Sequence, residues 1–299
     1  MYEKVSKNHP DKLADRIAGA LVDLAYSINE NPKVAIEVLI GHKKALIINE
    51  TDTSLDINNV KGIVYRILKT TDVEVEYKEV PQDSELAKNQ KEEIRCGDNG
   101  IFKGVPTNKE ENTLADFTYM FDTRFDSDGK YILDLTDKTL ITCQSNAAER
   151  EIEEMIKPFF IHRNLDLNEF KFVINPLGRW TGGTNVDCGA TNRKLGSDMG
   201  RACTGGGLHG KDLSKADVSV NILCHLIAQE QQGYVFAKCA IGDTNVDITL
   251  CTEESTETRS YSYEQIVSIA REYIEKCGGF EKFAEYGLVT YNTRLIYIE

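Results

Sequence analysis

The chain has 299 residues, with 35 Lys and Arg against 48 Asp and Glu, a formal charge of −13, and 41% hydrophobic residues. So acidic a balance argues against nucleic acid or an anionic membrane as partner, since both need spread positive charge. The apolar share is enough for a real core, and the length admits one large domain or two or three small ones.

Taken in chain order, Leu13, Ile17, Ala20, Leu21, Leu24 and Ile28 form one face of a helix. Strands are expected over Val34–Ile40 and Lys44–Ile48, then a helix carrying Val60, Ile63, Val64, Ile67 and Leu68 on one face. Weak composition breaks fall at Pro81–Glu93, Thr107–Asn112 and Thr252–Thr258, and the first, polar and without periodicity, reads as a mobile loop. Strands Tyr131–Leu135 and Thr139–Gln144 flank a Thr136-Asp137 turn, and a helix over Ala147–Lys157 is expected to stop at Pro158. A helix over Ser214–Gln229 precedes strands Tyr234–Ile241 and Val246–Cys251 and a helix over Tyr263–Cys277. The unit of strand, strand and helix thus recurs three times without a sequence repeat. This pattern predicts an α+β fold of three similar subdomains, each a mainly antiparallel or mixed sheet with helices on one face. Continuous apolar stretches such as Ala45-Leu46-Ile47-Ile48 suggest strands covered on both faces, one of them by another subunit.

Eight cysteines occur with no C-x-x-C pair, several inside apolar runs, which suggests reduced thiols serving as small core residues. The start, MYEKVSKNHPDK, has no apolar targeting segment and no run is long enough to span a membrane. The expectation is a soluble cytoplasmic protein.

Four segments carry candidate chemistry. His9-Pro10-Asp11-Lys12 stands before the first helix. His9 can donate to a phosphate or leaving oxygen, Asp11 can bind a divalent metal, and Lys12 adds a point charge. The same residues also read as a plain helix start capped by Asp11. Gly97-Asp98-Asn99-Gly100 is a tight turn whose Asp98 could bind a substrate ammonium group. Asp126-Ser127-Asp128-Gly129-Lys130 reads as a hairpin turn, or as a ribose acceptor followed by a phosphate-binding lysine. Finally, Arg193, Lys194, Lys211 and Lys215 frame the run Gly205-Gly206-Gly207 in an otherwise acidic chain. Gly205–Asp212 nearly fits a P-loop, but Asp212 replaces the hydroxyl residue and no convincing strand precedes it. What remains is bare backbone N–H with lysines beside it, which suits a polyphosphate.

Together these segments resemble the S-adenosylmethionine synthetase (methionine adenosyltransferase) family. The family's G-H-P-D-K is similar to Asn8–Lys12, its G-E-x-T-T to Asn49–Thr53, and its G-D-Q-G to Gly97–Gly100. Its N-P-T-G-R-F resembles Asn175–Trp180, and its D-C-G-L-T-G-R-K resembles Asp187-Cys188-Gly189-Ala190-Thr191-Asn192-Arg193-Lys194. Its G-G-G-A-F-S-G-K-D-P-S-K-V-D is similar to Gly205 through Asp217, one residue shorter here. The motifs keep the family's order across roughly residues 1 to 250.

The resemblance implies three pseudo-threefold subdomains, interleaved within one unit and divided near residues 1–110, 111–213 and 214–299. It implies a homodimer with active sites at the interface, with pairing into tetramers left open. It implies that methionine sulfur attacks C5′ of ATP, that triphosphate leaves whole, and that it is then cleaved to pyrophosphate and phosphate. Two Mg²⁺ ions at Asp11 and Asp217 and K⁺ at Glu37 follow from the same likeness. So do catalytic roles for His9, Lys130, Arg193 and Lys211. Further ATP contacts fall on Asp128, Gly129, Arg179, Trp180, Asp187, Lys194 and Ile241. Methionine contacts fall on Glu50, Gln82, Asp98, Asp187 and Lys215.

The chain departs from the family at several points. Lys7-Asn8 replaces Glu-Gly and Asn99 replaces Gln. The Trp180–Asp187 segment is one residue shorter, and at Leu208 either a leucine stands where the family has a small Ala or the gap falls there. The segment from Gln82 to Cys96 is short for an active-site lid, and Tyr286–Glu299 lacks the family's Pro-Tyr-Gly and Tyr-Gly-His-Phe-Gly patterns. The chain reads as a shortened, divergent member. An inactive regulatory homologue and a different ATP-dependent transferase on the same scaffold are the competing readings.

Overall fold

The computed structural model describes residues 1–83, 85 and 93–291. Pro10–Ile28 forms helix α1, and its buried face is broad: Leu13, Ala14, Ile17, Ala18, Leu21 and Val22 are all buried. Strands β2 (Val34–Gly41) and β3 (Lys44–Thr51) follow as an antiparallel hairpin, then α2 (Ile57–Leu68) and β4 (Glu74–Val80), which runs parallel to β3. The same order returns in the middle of the chain. There α3 (Lys109–Arg124) leads to the hairpin β6 (Gly129–Asp134) and β7 (Thr139–Gln144). Helix α4 (Glu149–His162) then leads to β8 (Lys171–Ile174), parallel to β7. After two short elements, β9 (Gly189–Ala190) and α5 (Leu195–Met199), the order returns a third time. Helix α6 (Ala216–Gln231) precedes β10 (Tyr234–Cys239), β11 (Asn245–Cys251) and β12 (Thr256–Ser262), then α7 (Tyr263–Cys277) and α8 (Phe280–Tyr286). Here β12 returns through a tight turn instead of a helix, so it pairs antiparallel with β11.

Among the described residues each sheet has four strands, in the orders β9-β2-β3-β4, β1-β6-β7-β8 and β5-β10-β11-β12, where β1 is Tyr2–Val5 and β5 is Gly100–Gly104. The expected α+β class and threefold pattern are therefore present. The first strand of each sheet comes from elsewhere in the chain, so the sheets interleave. One core unites α1, α2, α6 and α7 with the first and third sheets, and a second lies under α3 and α4 against the middle sheet.

Several local expectations are corrected. The break at Thr107–Asn112 is the start of α3, closed by a capping box between Asn108 and Glu111. The break at Thr252–Thr258 holds the β11–β12 turn and the first three residues of β12. Pro158 lies inside α4. It removes one backbone bond, at a cost of about 3 kcal/mol. Continuing the helix buries Phe159 and Phe160, each contributing about 1.5–3 kcal/mol. Asp126–Lys130 is no hairpin turn: it joins α3 to β6. Helix α6 begins at Ala216, two residues later than expected. All eight cysteines are free thiols; Cys96, Cys224 and Cys239 are buried, whereas Cys188 is exposed. Among the described residues no helix is long and apolar enough to cross a membrane.

Candidate active site

The start of α1 is the centre of the candidate site. Pro10 takes the first helical position, where no N–H is needed, and His9 is the N-cap. The cap is therefore His9 and not Asp11: the Asp11 N–H donates to His9 Nδ1 at 3.2 Å. Burial, and then Lys194, push the His9 pKa down to about 4. The ring is neutral near pH 7 and, with Nδ1 accepting, carries its proton on Nε2.

Strand β9 passes so close to this helix start that a Cβ on Gly189 would lie 2.0 Å from the Pro10 carbonyl oxygen. Only glycine fits there. That approach lets the Ala190 N–H donate to Asp11 Oδ1 at 3.0 Å. It also brings Arg193 Nε to 3.6 Å and Lys194 Nζ to 3.4 Å from the Asp11 carboxylate. Asp11 is itself 2% exposed, while Arg193 is open to solvent.

Asp128, Gly129 and Lys130 lie alongside. The Ser6 N–H donates to the Gly129 carbonyl at 2.9 Å, which fixes β6 against the segment leading to His9. Lys130 pairs with Glu3 at 3.3 Å and adds to the positive potential at His9. Asp128 is buried. Its Oδ2 accepts from the Gly183 N–H at 3.0 Å, and its Oδ1 has no partner among the described residues. Burial raises its pKa to about 6. The shortened Trp180–Asp187 segment thus folds directly onto Asp128, and the two border a cleft of about 230 Å³. Asp187 is exposed and acts electrostatically on both His9 and Asp128.

The glycine-rich run lies against Asn192, the residue before Arg193: a Cβ on Gly207 would come within 2.8 Å of its side chain. The run follows a single 3₁₀ turn at Gly200–Ala202, with no strand immediately before it, which removes the P-loop reading. Lys211 pairs with Asp217 of the first α6 turn at 2.5 Å. Lys215, the N-cap residue of α6, is buried. Lys211 also bridges Ala35, which faces Glu50 across β2 and β3, and Glu50 in turn faces Val80. Glu50 and Gln82 therefore lie at the Lys211 end of the first sheet. Both amide atoms of Gln82 are buried without a partner among the described residues. Asp98 is exposed; Asn99 Oδ1 accepts from the Ile241 N–H at 2.8 Å, and the Gly97 N–H donates to the Ser214 carbonyl at 3.0 Å. The Thr191 hydroxyl donates to the Glu37 carboxylate.

Not every expected residue joins this group. Arg179 is exposed and pairs with Glu151 of α4 at 3.8 Å. Trp180 is half-buried, with its Nε1 unpartnered among the described residues. Most of the expected lid, residues 84 and 86–92, and the tail 292–299 lie outside the described residues. Lys12 is corrected: it adds no charge to a phosphate seat. It is 1% exposed and donates to Asp15 at 3.0 Å and to both oxygens of Asp198 at 2.8 and 2.7 Å.

Asp15, Asp198 and His209 escaped the sequence reading. Together they have the spacing of a metal site, but the Lys12 ammonium already sits among them and His209 bonds Asp198 at 3.0 Å. Burial alone would raise the Asp198 pKa. Lys12 and then His209 outweigh it and hold the carboxyl well below its usual range. Asp15 is pushed up by burial.

The comparisons with known proteins decide the family. Residues 1–91 match the model of the S-adenosylmethionine synthetase N-terminal domain. An S-adenosylmethionine synthase of Mycoplasma mycoides subsp. mycoides SC is 31% identical over 278 residues, covering 76% of this chain and 71% of that one. The chain belongs to the S-adenosylmethionine synthetase family. The synthase of Mycoplasma capricolum subsp. capricolum is 30% identical over 280 residues, with the same coverage. Among solved structures, an unusual S-adenosylmethionine synthetase from Campylobacter jejuni superposes with a TM-score of 0.73. It covers 97% of this chain and 94% of its own at 19% identity, which speaks for the fold alone.

Proposed function

We propose that this member of the family is an active methionine adenosyltransferase. Its methionine sulfur attacks C5′ of ATP and expels triphosphate, which the same site then cleaves to pyrophosphate and phosphate. The observation that carries this reading is the meeting of a neutral, Nε2-protonated His9 with Asp11, Arg193 and Lys194 at one helix start. A thioether needs no base. The work of such a site is alignment of sulfur with C5′ and stabilisation of charge moving onto the leaving oxygen.

In this proposal His9 Nε2–H donates to that oxygen. Lys130, Arg193, Lys194 and Lys211 hold the triphosphate, and the free Asp128 Oδ1 accepts from a ribose hydroxyl beside the Gly129 backbone. Ile241 and Trp180 offer apolar surface to adenine. Asp187 and Arg179 complete the nucleotide contacts. Glu50, Gln82, Asp98, Asp187 and Lys215 receive methionine, the acidic groups meeting its ammonium; the Gln82 amide, without a partner among the described residues, suits a polar ligand.

The implied metals fit the donor set. Asp11 and Asp217 each present one hard carboxylate oxygen beside cations that a phosphate would share. Mg²⁺ takes one or two carboxylates together with phosphate oxygens. Bound Mg²⁺ would neutralise charge on the leaving triphosphate. Glu37, hydrogen-bonded by Thr191, would contribute one oxygen to K⁺. Exposed Leu39, Leu46 and Ile48 on the first sheet, and Ile101 and Phe236 on the third, support a homodimer with these faces covered.

Incubation with ATP, methionine, Mg²⁺ and K⁺ is the test. The reading predicts methionine-dependent S-adenosylmethionine with pyrophosphate and phosphate. An inactive homologue would bind ATP without product, and another transferase would need a different nucleophile.

Asp128 adds a pH dependence. Below about pH 6 its carboxyl takes a proton, and the charged acceptor for ribose is lost. The kcat/KM for ATP should fall about tenfold per unit below that value, since this profile reports the free enzyme. Asp128→Asn should be weaker at pH 7.5 and flat across the same range. An equal slope in the variant would remove Asp128 from the nucleotide site.

A further inference from the structure

Two walls of the candidate polyphosphate seat come from different parts of the chain, one at Arg193-Lys194 and one at Lys211. The Asn192 side chain links the two segments directly. Asn192 lies in the left-handed region, at φ 61°. Its Nδ2 donates to the His209 carbonyl at 3.1 Å, and its Oδ1 accepts from the His209 N–H at 2.9 Å. The amide thus pairs with the loop backbone as a neighbouring strand would, bonding both its donor and its acceptor. It also packs against Gly207 of the glycine run, where a Cβ would come within 2.8 Å of Asn192 Nδ2. Behind it, the Asn192 N–H donates to Asp15 Oδ1 at 2.8 Å, and Asp15 is held by Lys12. The next two residues are the cations beside Asp11.

The family motif has glycine where this chain has Asn192, and its glycine-rich loop is one residue longer. A shorter loop has less backbone with which to reach the first wall. We propose that Asn192 is a positioning residue of the polyphosphate seat. Its side-chain amide replaces the reach of the missing loop residue and holds Lys211 at a fixed separation from Arg193 and Lys194. The proposal rests on the reading that these cations hold the triphosphate.

Asn192→Gly tests it cleanly, because glycine accepts the positive φ and only the amide is removed. Two hydrogen bonds leave, and a tenfold effect is the scale expected. The full-length chain is compared with the variant in four measurements: calorimetric binding of magnesium tripolyphosphate, kcat, KM for ATP and for methionine, and the thermal midpoint. The expected result is tripolyphosphate binding weaker by about tenfold or more, with kcat/KM for ATP falling alike. KM for methionine stays within about twofold and the midpoint is little changed. Tripolyphosphate binding and kcat/KM within twofold of the parent would overturn the proposal. So would equal losses for both substrates alongside a lowered midpoint, the mark of a merely structural residue. Should the parent bind tripolyphosphate yet make no product, the proposed activity fails while the binding ratio still decides the role of Asn192. A parent that does not bind tripolyphosphate overturns both.

Discussion

Replacing Lys12 by methionine is expected to lower stability by about 3–5 kcal/mol, the cost of leaving a buried charge without its partner. Lys12 is 1% exposed, and its ammonium is the counter-charge for Asp198 and Asp15, both fully enclosed. Methionine keeps most of the side-chain volume, so cavity formation adds little. What is lost is the charge, and Asp198 then stands beside a second carboxyl in a dry interior. The urea midpoint of the purified protein measures this. The double variant Lys12→Met with Asp198→Asn should regain more than about 1 kcal/mol, because neighbours in one network are not additive. A single variant with an unchanged midpoint would show that the cluster contributes no net stability.

His9→Asn is expected to lower kcat by about 10²–10³ with little change in the thermal midpoint. The size is that of removing one donor from a site of developing charge. Asparagine is among the best N-cap residues, so it can take over the bond that Nδ1 accepts from the Asp11 N–H. It cannot also present a donor where Nε2 lies. Turnover and melting are thereby separated. His9→Ala should lose both, the cap costing about 1 kcal/mol. Equal rates for His9→Asn and the parent would reduce His9 to a helix cap.

The elements legible in the sequence are those whose side chains repeat on one face. Helix α1, helix α7 and the hairpins β2–β3, β6–β7 and β10–β11 all bury an alternating or 3.6-period set. The strands that were missed lie at sheet edges. β4 is EVEYKEV and β12 is TETRSYS, and charged side chains suit an edge, where they discourage further pairing. Strands β1 and β5 lie at the opposite edges of their sheets and have only four and five residues. Helix α3 opens with Lys-Glu-Glu-Asn, which hid its capping box among charges.

The candidate site was legible for a different reason. Phosphate and metal chemistry need particular residue types at short spacing, so His9-Pro10-Asp11 and Arg193-Lys194 stand out as strings. The Lys12 cluster has no such string. Asp15 and Asp198 are 183 positions apart in the chain, and neither spacing nor polarity marks them as buried. Lys12 read as a phosphate-facing charge because His9 and Asp11, just before it, face the site. On a helix the residue after Asp11 points about 100° away, into the interior. Asn192 stands where the motif has glycine, but the sequence reading passed over it, because its consequence depends on a contact with His209 across 17 residues.

The central claim is that sulfur attacks C5′ and that triphosphate leaves whole. Single turnover with the β,γ-imido analogue of ATP tests it most directly, because the later phosphate cleavage is blocked. With enzyme in excess over the analogue, and with methionine, Mg²⁺ and K⁺ present, mass spectrometry should find S-adenosylmethionine and intact imidotriphosphate in equal amounts. Methionyl adenylate with imidodiphosphate would place the attack at the α-phosphorus and contradict the account, as would the absence of any methionine-dependent product.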